Sequence, residues 1–472
     1  MTTFVSIVVS VAGWTVLTLI ARDCIRERSR CWAVSWVCIF LALKLFLFGV
    51  VPFIYIEFFG EPKLVHAPLQ TLTPAFTLFL LETVLTWVPL RMLRHRIGVA
   101  LRLGAGRRPS VAEATLGIGI ITMWCFAVSM RKGYFGEAAI AGLGLLTDWL
   151  PFGIVLVVCC VFDTAFARRF RYILIAALLM IILSVVVPLG GRGYIFIPVA
   201  FTILGLLHVG NVAPTWVRFG GGLIAVMLLG VVGSYAVSGI RAQVYYTGTR
   251  ASITDIKRSS QYSDLDPVGT VINRLAAGLQ STEFVIENRT MFISRGRMEV
   301  FGLVAGSSIS RRVNPLGSVA DRYNQDGVSP GTQLAYLISG FGYGLAWPSI
   351  VDFYLGFGVI GVALSGALLS VVIAGWLLAM RTFARSWPRV CVAFVIGNIG
   401  SGILAYETAG KMFTALIWNS IVLFGIASVS ARVLFRSGSS EPQRVGWKYS
   451  DSAAAAKPKP LAAKISRRGA RR

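Results

Sequence analysis

The sequence predicts an all-α polytopic membrane protein of about eleven transmembrane helices with one large, partly helical loop. Three observations predict it. Charged residues make up 14% of the 472 positions, against about 25% in an ordinary soluble domain. Hydrophobic residues make up 56%, and the mean hydropathy is +0.72. The apolar residues gather in continuous runs of roughly 17–25, long enough to cross a hydrocarbon core of ~30 Å. Continuous runs, without apolar–polar alternation, speak against a β-barrel. A soluble enzyme, a disordered chain and a one-span anchor are excluded by the same figures.

In chain order, spans are expected at 4–21, 32–56, 68–90, 111–130, 148–166, 172–188, 194–210, 219–240, 351–380, 390–406 and 412–435. The first lacks a basic leading region and is followed by a basic loop, so it reads as a span and not as a cleavable signal. The ninth is long and interrupted by glycine, which suggests a re-entrant piece. Grouped by role, residues 1–240 form a transmembrane core of eight spans, 241–346 a large loop, 347–435 the last three spans, and 436–472 a basic tail. That tail is rich in Ala, Lys, Pro and Arg and is expected to be disordered, its basic end suited to anionic lipid.

The net charge of +24 comes from 45 Lys and Arg against 21 Asp and Glu. Nucleic acid is not the expected partner, because the basic residues alternate from loop to loop as topology signals do. Arg22, Arg26, Arg28 and Arg30 lie in the first such loop, and Arg91, Arg94, Arg96, Arg102, Arg107 and Arg108 in the next. Arg168, Arg169 and Arg171, then Arg218, then Arg381, Arg385 and Arg389 follow on the same side. The opposite short connections hold Lys63, Arg131, Lys132, Arg192 and Lys411. The alternation puts the N-terminus in the periplasm, the 106-residue loop 241–346 on that same outer face, and the C-terminus in the cytoplasm. A reporter active only in the periplasm should therefore work when fused at residue 300 and fail at residue 450; the reverse pattern would invert the topology.

Within the large loop, Val268, Ile272, Leu275 and Leu279 share one helical face. The loop also carries ten Arg, among them Arg258, Arg289 and Arg295, and one Lys, Lys257. Guanidinium groups bind phosphate oxygens bidentately and keep their charge in a partly dry site. An arginine cluster on the outer face thus suits a lipid-linked pyrophosphate, although Arg outnumbers Lys throughout the chain. Arg192 stands apart, in the glycine-rich turn Pro188-Leu189-Gly190-Gly191-Arg192-Gly193-Tyr194. Close ligand approach and interfacial snorkelling both fit it. A third feature is Asp352-Phe353-Tyr354-Leu355-Gly356-Phe357-Gly358-Val359-Ile360-Gly361, where glycine at this density can break a helix and turn Asp352 and Tyr354 toward a cavity. The seven cysteines and three histidines show neither a disulfide framework nor a metal-ligand spacing. Lys44 and Glu82 are the clearest charges inside spans and are candidates to pair with each other.

The 352–361 stretch resembles the acid-x-Tyr-x-Asn-Phe-Gly-x-x-Gly pattern of oligosaccharide repeat-unit polymerases, the Wzy-type O-antigen polymerases. Asp352, Tyr354, Phe357, Gly358 and Gly361 match, and Gly356 stands where the pattern has Asn. The 190–193 turn resembles the family's short Gly/Ser-Arg-Gly turn, and the many spans with one large late loop are similar in layout. Two Arg-x10-Gly spacings, Arg258 to Gly269 and Arg295 to Gly306, add nothing: with ten Arg and glycine at 12 of the 106 loop positions, one match is expected by chance.

The resemblance implies a GT-C-like glycosyltransferase of the bacterial inner membrane; with no paired-acid or His/Cys ligand set in the sequence, it is expected to be metal-independent and to use no cofactor. It would transfer a growing glycan from undecaprenyl pyrophosphate onto a lipid-linked repeat unit. Arg192, Asp352 and Tyr354 would be catalytic, and Arg192, Arg258, Arg289 and Arg295 would hold the pyrophosphate. The partners would be the undecaprenyl-pyrophosphate-linked oligosaccharide, membrane lipids and a chain-length regulator protein. The loop lacks His, so the acceptor hydroxyl would need a carboxylate base, and Glu283, Glu287, Asp321, Asp326 and Asp352 are the candidates. His66 is a further outer-side candidate. An O-antigen ligase and a polysaccharide flippase or transport component remain open as alternatives.

Overall fold

The computed structural model describes residues 2–27, 31–59, 71–100, 111–129, 149–163, 167–186, 192–209, 267–289, 348–384, 387–404 and 420–435, with residues 412, 416 and 417. The expected span 219–240, the turn residues 187–191, His66, Arg258, Arg295, Asp321, Asp326 and the 436–472 tail lie outside the described residues.

All regular structure among the described residues is helical. The helices are α1 (Thr2–Glu27), α2 (Trp32–Phe59), α3 (Thr73–Ala100), α4 (Val111–Ser129), α5 (Leu150–Phe162), α6 (Arg168–Val186), α7 (Arg192–Val209), α8 (Pro267–Glu287), α9 (Ser349–Ala379), α10 (Pro388–Leu404) and α11 (Ser420–Phe435). In five of them, α1 through α4 and α9, there is a stretch long and apolar enough to cross a membrane. They leave Phe4, Val8, Val11, Met123, Ile360 and Val371 exposed, as lipid-facing helices do. The protein is therefore a multi-pass, helical membrane protein.

The fifth expected span is shorter than the sequence suggests. Its helix has 13 residues, about 20 Å long, and ten of its apolar or small neighbours from Leu150 to Cys159 are all buried. It is apolar all round because protein, not lipid, surrounds it. The crossing with α4 is close: a Cβ at Gly117 would meet Val157 at 2.8 Å.

The helix ends sort into two sets. At one end Arg91 meets Asp23 at 3.2 Å, and Arg94 meets Glu27 at 3.2 Å. Arg389, at the start of α10, donates to Glu113 at 2.7 Å and also pairs with Asp163. The first two pairs join the last turns of α1 to the C-terminal part of α3, and the Arg389 pairs join the start of α4, the residue after α5 and the start of α10. At the other end Ser6 of α1 hydrogen-bonds Glu57 of α2 at 2.8 Å and Thr73 of α3 at 2.9 Å. Thus α1 and α3 run parallel and α2 antiparallel between them.

Between the ends, Lys44 and Glu82 pair at 3.0 Å, both almost fully buried, as their isolation in apolar runs suggested. His208 accepts a hydrogen bond from Trp36 at 3.0 Å and packs beside Trp32, a satisfied core histidine.

Helix α9 is broken. Gly358 has φ +66° and ψ −149°, a left-handed backbone that L side chains avoid. Ser349, before the break, and Ser365, after it, both reach one oxygen of Glu82, at 3.4 and 2.8 Å. In a straight helix these serines would stand about 24 Å apart. The two arms therefore fold back on each other as a helical hairpin. Gly361 lies so close against the Phe353 carbonyl that no Cβ fits there. Two glycines of the 352–361 stretch are thus required by the backbone: Gly358 by its conformation and Gly361 by contact.

Candidate functional site

The end of the bundle away from the arginine–carboxylate pairs is where chemistry-bearing side chains gather. It is organised around the start of α3. The first amides of a helix have no partner within it and present a partial positive charge. Here they are taken by groups from three places. Leu72 N–H donates to Glu57 at 3.1 Å, Thr73 N–H to the Thr71 hydroxyl at 3.1 Å, and Ala75 N–H to Glu283 at 2.8 Å. Thr71 also donates to Glu57 at 2.8 Å.

Glu283 comes from α8, in the large loop. The helix expected from Val268, Ile272, Leu275 and Leu279 is present, and its buried face carries Ile272, Ala276, Leu279 and Glu283. That stripe lays α8 over the adjoining ends of α2 and α3 and against α9. Gln280, Ser281 and Thr282 are buried with it. Helix α8 is docked onto the membrane bundle through a face that carries a carboxylate.

Burial pushes the Glu283 carboxyl from its ordinary 4.5 up to about 8; the Ala75 amide opposes the rise, and the Glu287 and Glu57 carboxylates add to it. A carboxyl whose folded value is raised stabilises the fold fully below its unfolded value and loses that contribution as pH rises through the folded one. Docking of α8 should therefore be firmest at about pH 4.5, weaken steadily as pH rises from there to about 8, and level off above that. Thermal unfolding of detergent-purified protein across pH 5–9 should show this fall, and Glu283→Gln should flatten it. A wild-type profile as flat as that of the variant would contradict the assignment.

Beyond Glu283 the α8 helix delivers Arg289, which is exposed. Its guanidinium lies over the Tyr354 ring, 5.3 Å from the centroid, a cation–π contact. Two of the residues singled out in sequence, one from the loop and one from the 352–361 stretch, are thus in contact. Asp352 sits in the first turn of α9 and is buried, with 4% exposure. The first turn of a helix is a favourable place for carboxylate charge. Tyr354 is half-buried on the same arm.

Arg192 differs from its expected setting. It is the first residue of α7, not part of a turn preceding the helix. A helix start is a natural anion-binding position, since its free amides point at the ligand. Among the described residues, no three His, Cys, Asp or Glu side chains gather as metal ligands.

Sequence reasoning named Glu283 among the candidate bases but missed Glu57 and the meeting of the two at the head of α3. Glu57 ends an apolar run and Glu283 sits inside an amphipathic helix, so neither has a local signal. Compared with protein-family models, with curated proteins and with solved structures, the chain matches none.

Proposed function

We propose that this chain is a polymerase of surface-polysaccharide repeat units, O-antigen-like in kind, in the bacterial inner membrane. It transfers glycan from undecaprenyl pyrophosphate to a lipid-linked repeat unit at the periplasmic face. Its N-terminus is periplasmic and its C-terminus cytoplasmic. The observation that carries this reading is the contact of Arg289 with Tyr354. It supports a single site made from the arginine-rich loop and the polymerase-like 352–361 stretch, two features with no reason to meet in a purely structural loop.

In this reading Arg192, Arg289 and the loop residues Arg258 and Arg295 take the pyrophosphate, whose charge grows as the sugar–phosphate bond breaks. Fixed guanidinium forks aimed at that charge lower the barrier most in a partly dry site. Asp352 takes the proton of the attacking acceptor hydroxyl. Tyr354, held flat under Arg289, orients that cation and offers its own hydroxyl to the acceptor sugar. No metal or cofactor is needed to stabilise the departing pyrophosphate when several arginines do so.

The test is the banding of surface polysaccharide in a strain lacking the chain. A lost polymerase leaves single repeat units on the core. Unattached polymer still on the carrier lipid would instead identify a ligase, and single units trapped in the cytoplasmic leaflet a flippase.

A further inference from the structure

We infer that Glu82 is a positioning residue that fixes both arms of the α9 hairpin, and with them Asp352 and Tyr354; its catalytic meaning rests on the function proposed above.

Glu82 lies in the middle of α3 with 0% exposure. A carboxylate offers about four acceptor positions, and three are used here by side chains from three other places in the sequence. Lys44 of α2 takes one oxygen at 3.0 Å. Ser365 and Ser349 share the other, at 2.8 and 3.4 Å. Those serines lie on opposite sides of Gly358, and Asp352 and Tyr354 lie between them. The near arm, which carries both residues, begins at Ser349, so its root is tied to Glu82.

The rest of the contact is built for close approach. A Cβ at Gly366 would meet the Glu82 carbonyl at 2.6 Å. The Thr86 hydroxyl, bonded to that same carbonyl at 2.8 Å, also reaches the Gly366 carbonyl at 3.3 Å. The far arm is thereby seated on α3 along its backbone, and the Ser349 hydroxyl ties the root of the near arm to the Glu82 carboxylate.

Simple neutralisation of Lys44 is the competing account of Glu82. It predicts that the charges matter and the serines do not. Positioning predicts the opposite once the charges are removed together. Lys44→Met/Glu82→Gln leaves no buried charge and keeps an amide oxygen for both serines. Lys44→Met/Glu82→Leu leaves no buried charge and keeps nothing for them. Ser349→Ala/Ser365→Ala keeps the ion pair and removes both donors, in case the Leu variant fails to accumulate.

Hydrogen exchange of the 349–358 backbone in purified protein reads the hairpin without reference to activity. Polymer formation from lipid-linked repeat units reads the site. The Gln variant should keep both. The Leu and double-Ala variants should lose protection over 349–358, and kcat should fall roughly 100-fold, as for a reacting group displaced by an ångström, while KM stays near the parent value. Unchanged protection in both the Leu and double-Ala variants would overturn the anchoring. Lost protection with unchanged kcat would overturn the positioning role. A parent chain that makes no polymer would fall on the proposed function, and the exchange result would still decide the hairpin's anchor.

Discussion

Arg192→Ala is expected to abolish polymer while the chain still inserts and accumulates, and Arg192→Lys to restore only part of it. Arg192 opens α7, and a helix start that carries an arginine suits a phosphate group. An ammonium at that place keeps the charge and loses the bidentate geometry. Loss of one charge-assisted contact of ~3 kcal/mol to the departing group slows transfer by about 100-fold. Polymer length on a gel, normalised to protein level, measures it. Normal chain lengths in Arg192→Ala would mean that the side chain only reaches for the membrane interface.

The second large effect is on stability. Arg389→Ala should leave little folded protein. Its guanidinium is 8% exposed and joins Glu113 and Asp163, whose side chains are 2% and 13% exposed. Removing the cation strands two carboxylates in a dry interface between α4, α5 and α10, at a cost of about 3–5 kcal/mol. Arg389→Lys cannot fork between two acids and should recover only part. The triple change Arg389→Met/Glu113→Gln/Asp163→Asn removes the charges together and should recover most of the loss, because a buried ion group often contributes little over an uncharged set of similar size. Accumulation in the membrane and the detergent melting temperature would show the order. A single Arg389→Ala as stable as the parent would remove the node from any structural account.

The helices were legible because hydropathy is a local property. Each apolar run from 32–56 to 390–406 that falls within the described residues became a helix. Their lengths were less legible: α5 reads as a span by composition, yet packing inside protein and crossing lipid select the same residues. Glycine density correctly marked the break in α9, because a left-handed φ and a carbonyl contact each demand glycine at one position. Lys44 and Glu82 could be paired from sequence since each was an isolated charge in an apolar run. Glu113, Asp163 and Arg389 could not be. Each lies at a run end, where charge is ordinary, and Arg389 was counted only as a topology signal. Glu57 and Glu283 are joined through the start of α3 across more than 200 positions, 208 in the case of Glu283 and Ala75. Nothing periodic encodes such a meeting. Arg289 and Tyr354 were each named as candidates, but their contact is a product of how α8 docks.

The tie between Glu82 and the α9 hairpin also has a consequence for the order of biosynthesis. Lys44 and Glu82 are 38 positions apart, whereas Ser349 and Ser365 follow Glu82 by 267 and 283. At 5–20 residues per second, the ribosome takes roughly 13–50 s to make the intervening chain. Throughout that interval Lys44 is the one of these three partners already made, and the two serines are still to come. The first three helices must therefore hold together as a partly finished unit, and the hairpin closes late, as a plug set into a socket that was built long before it.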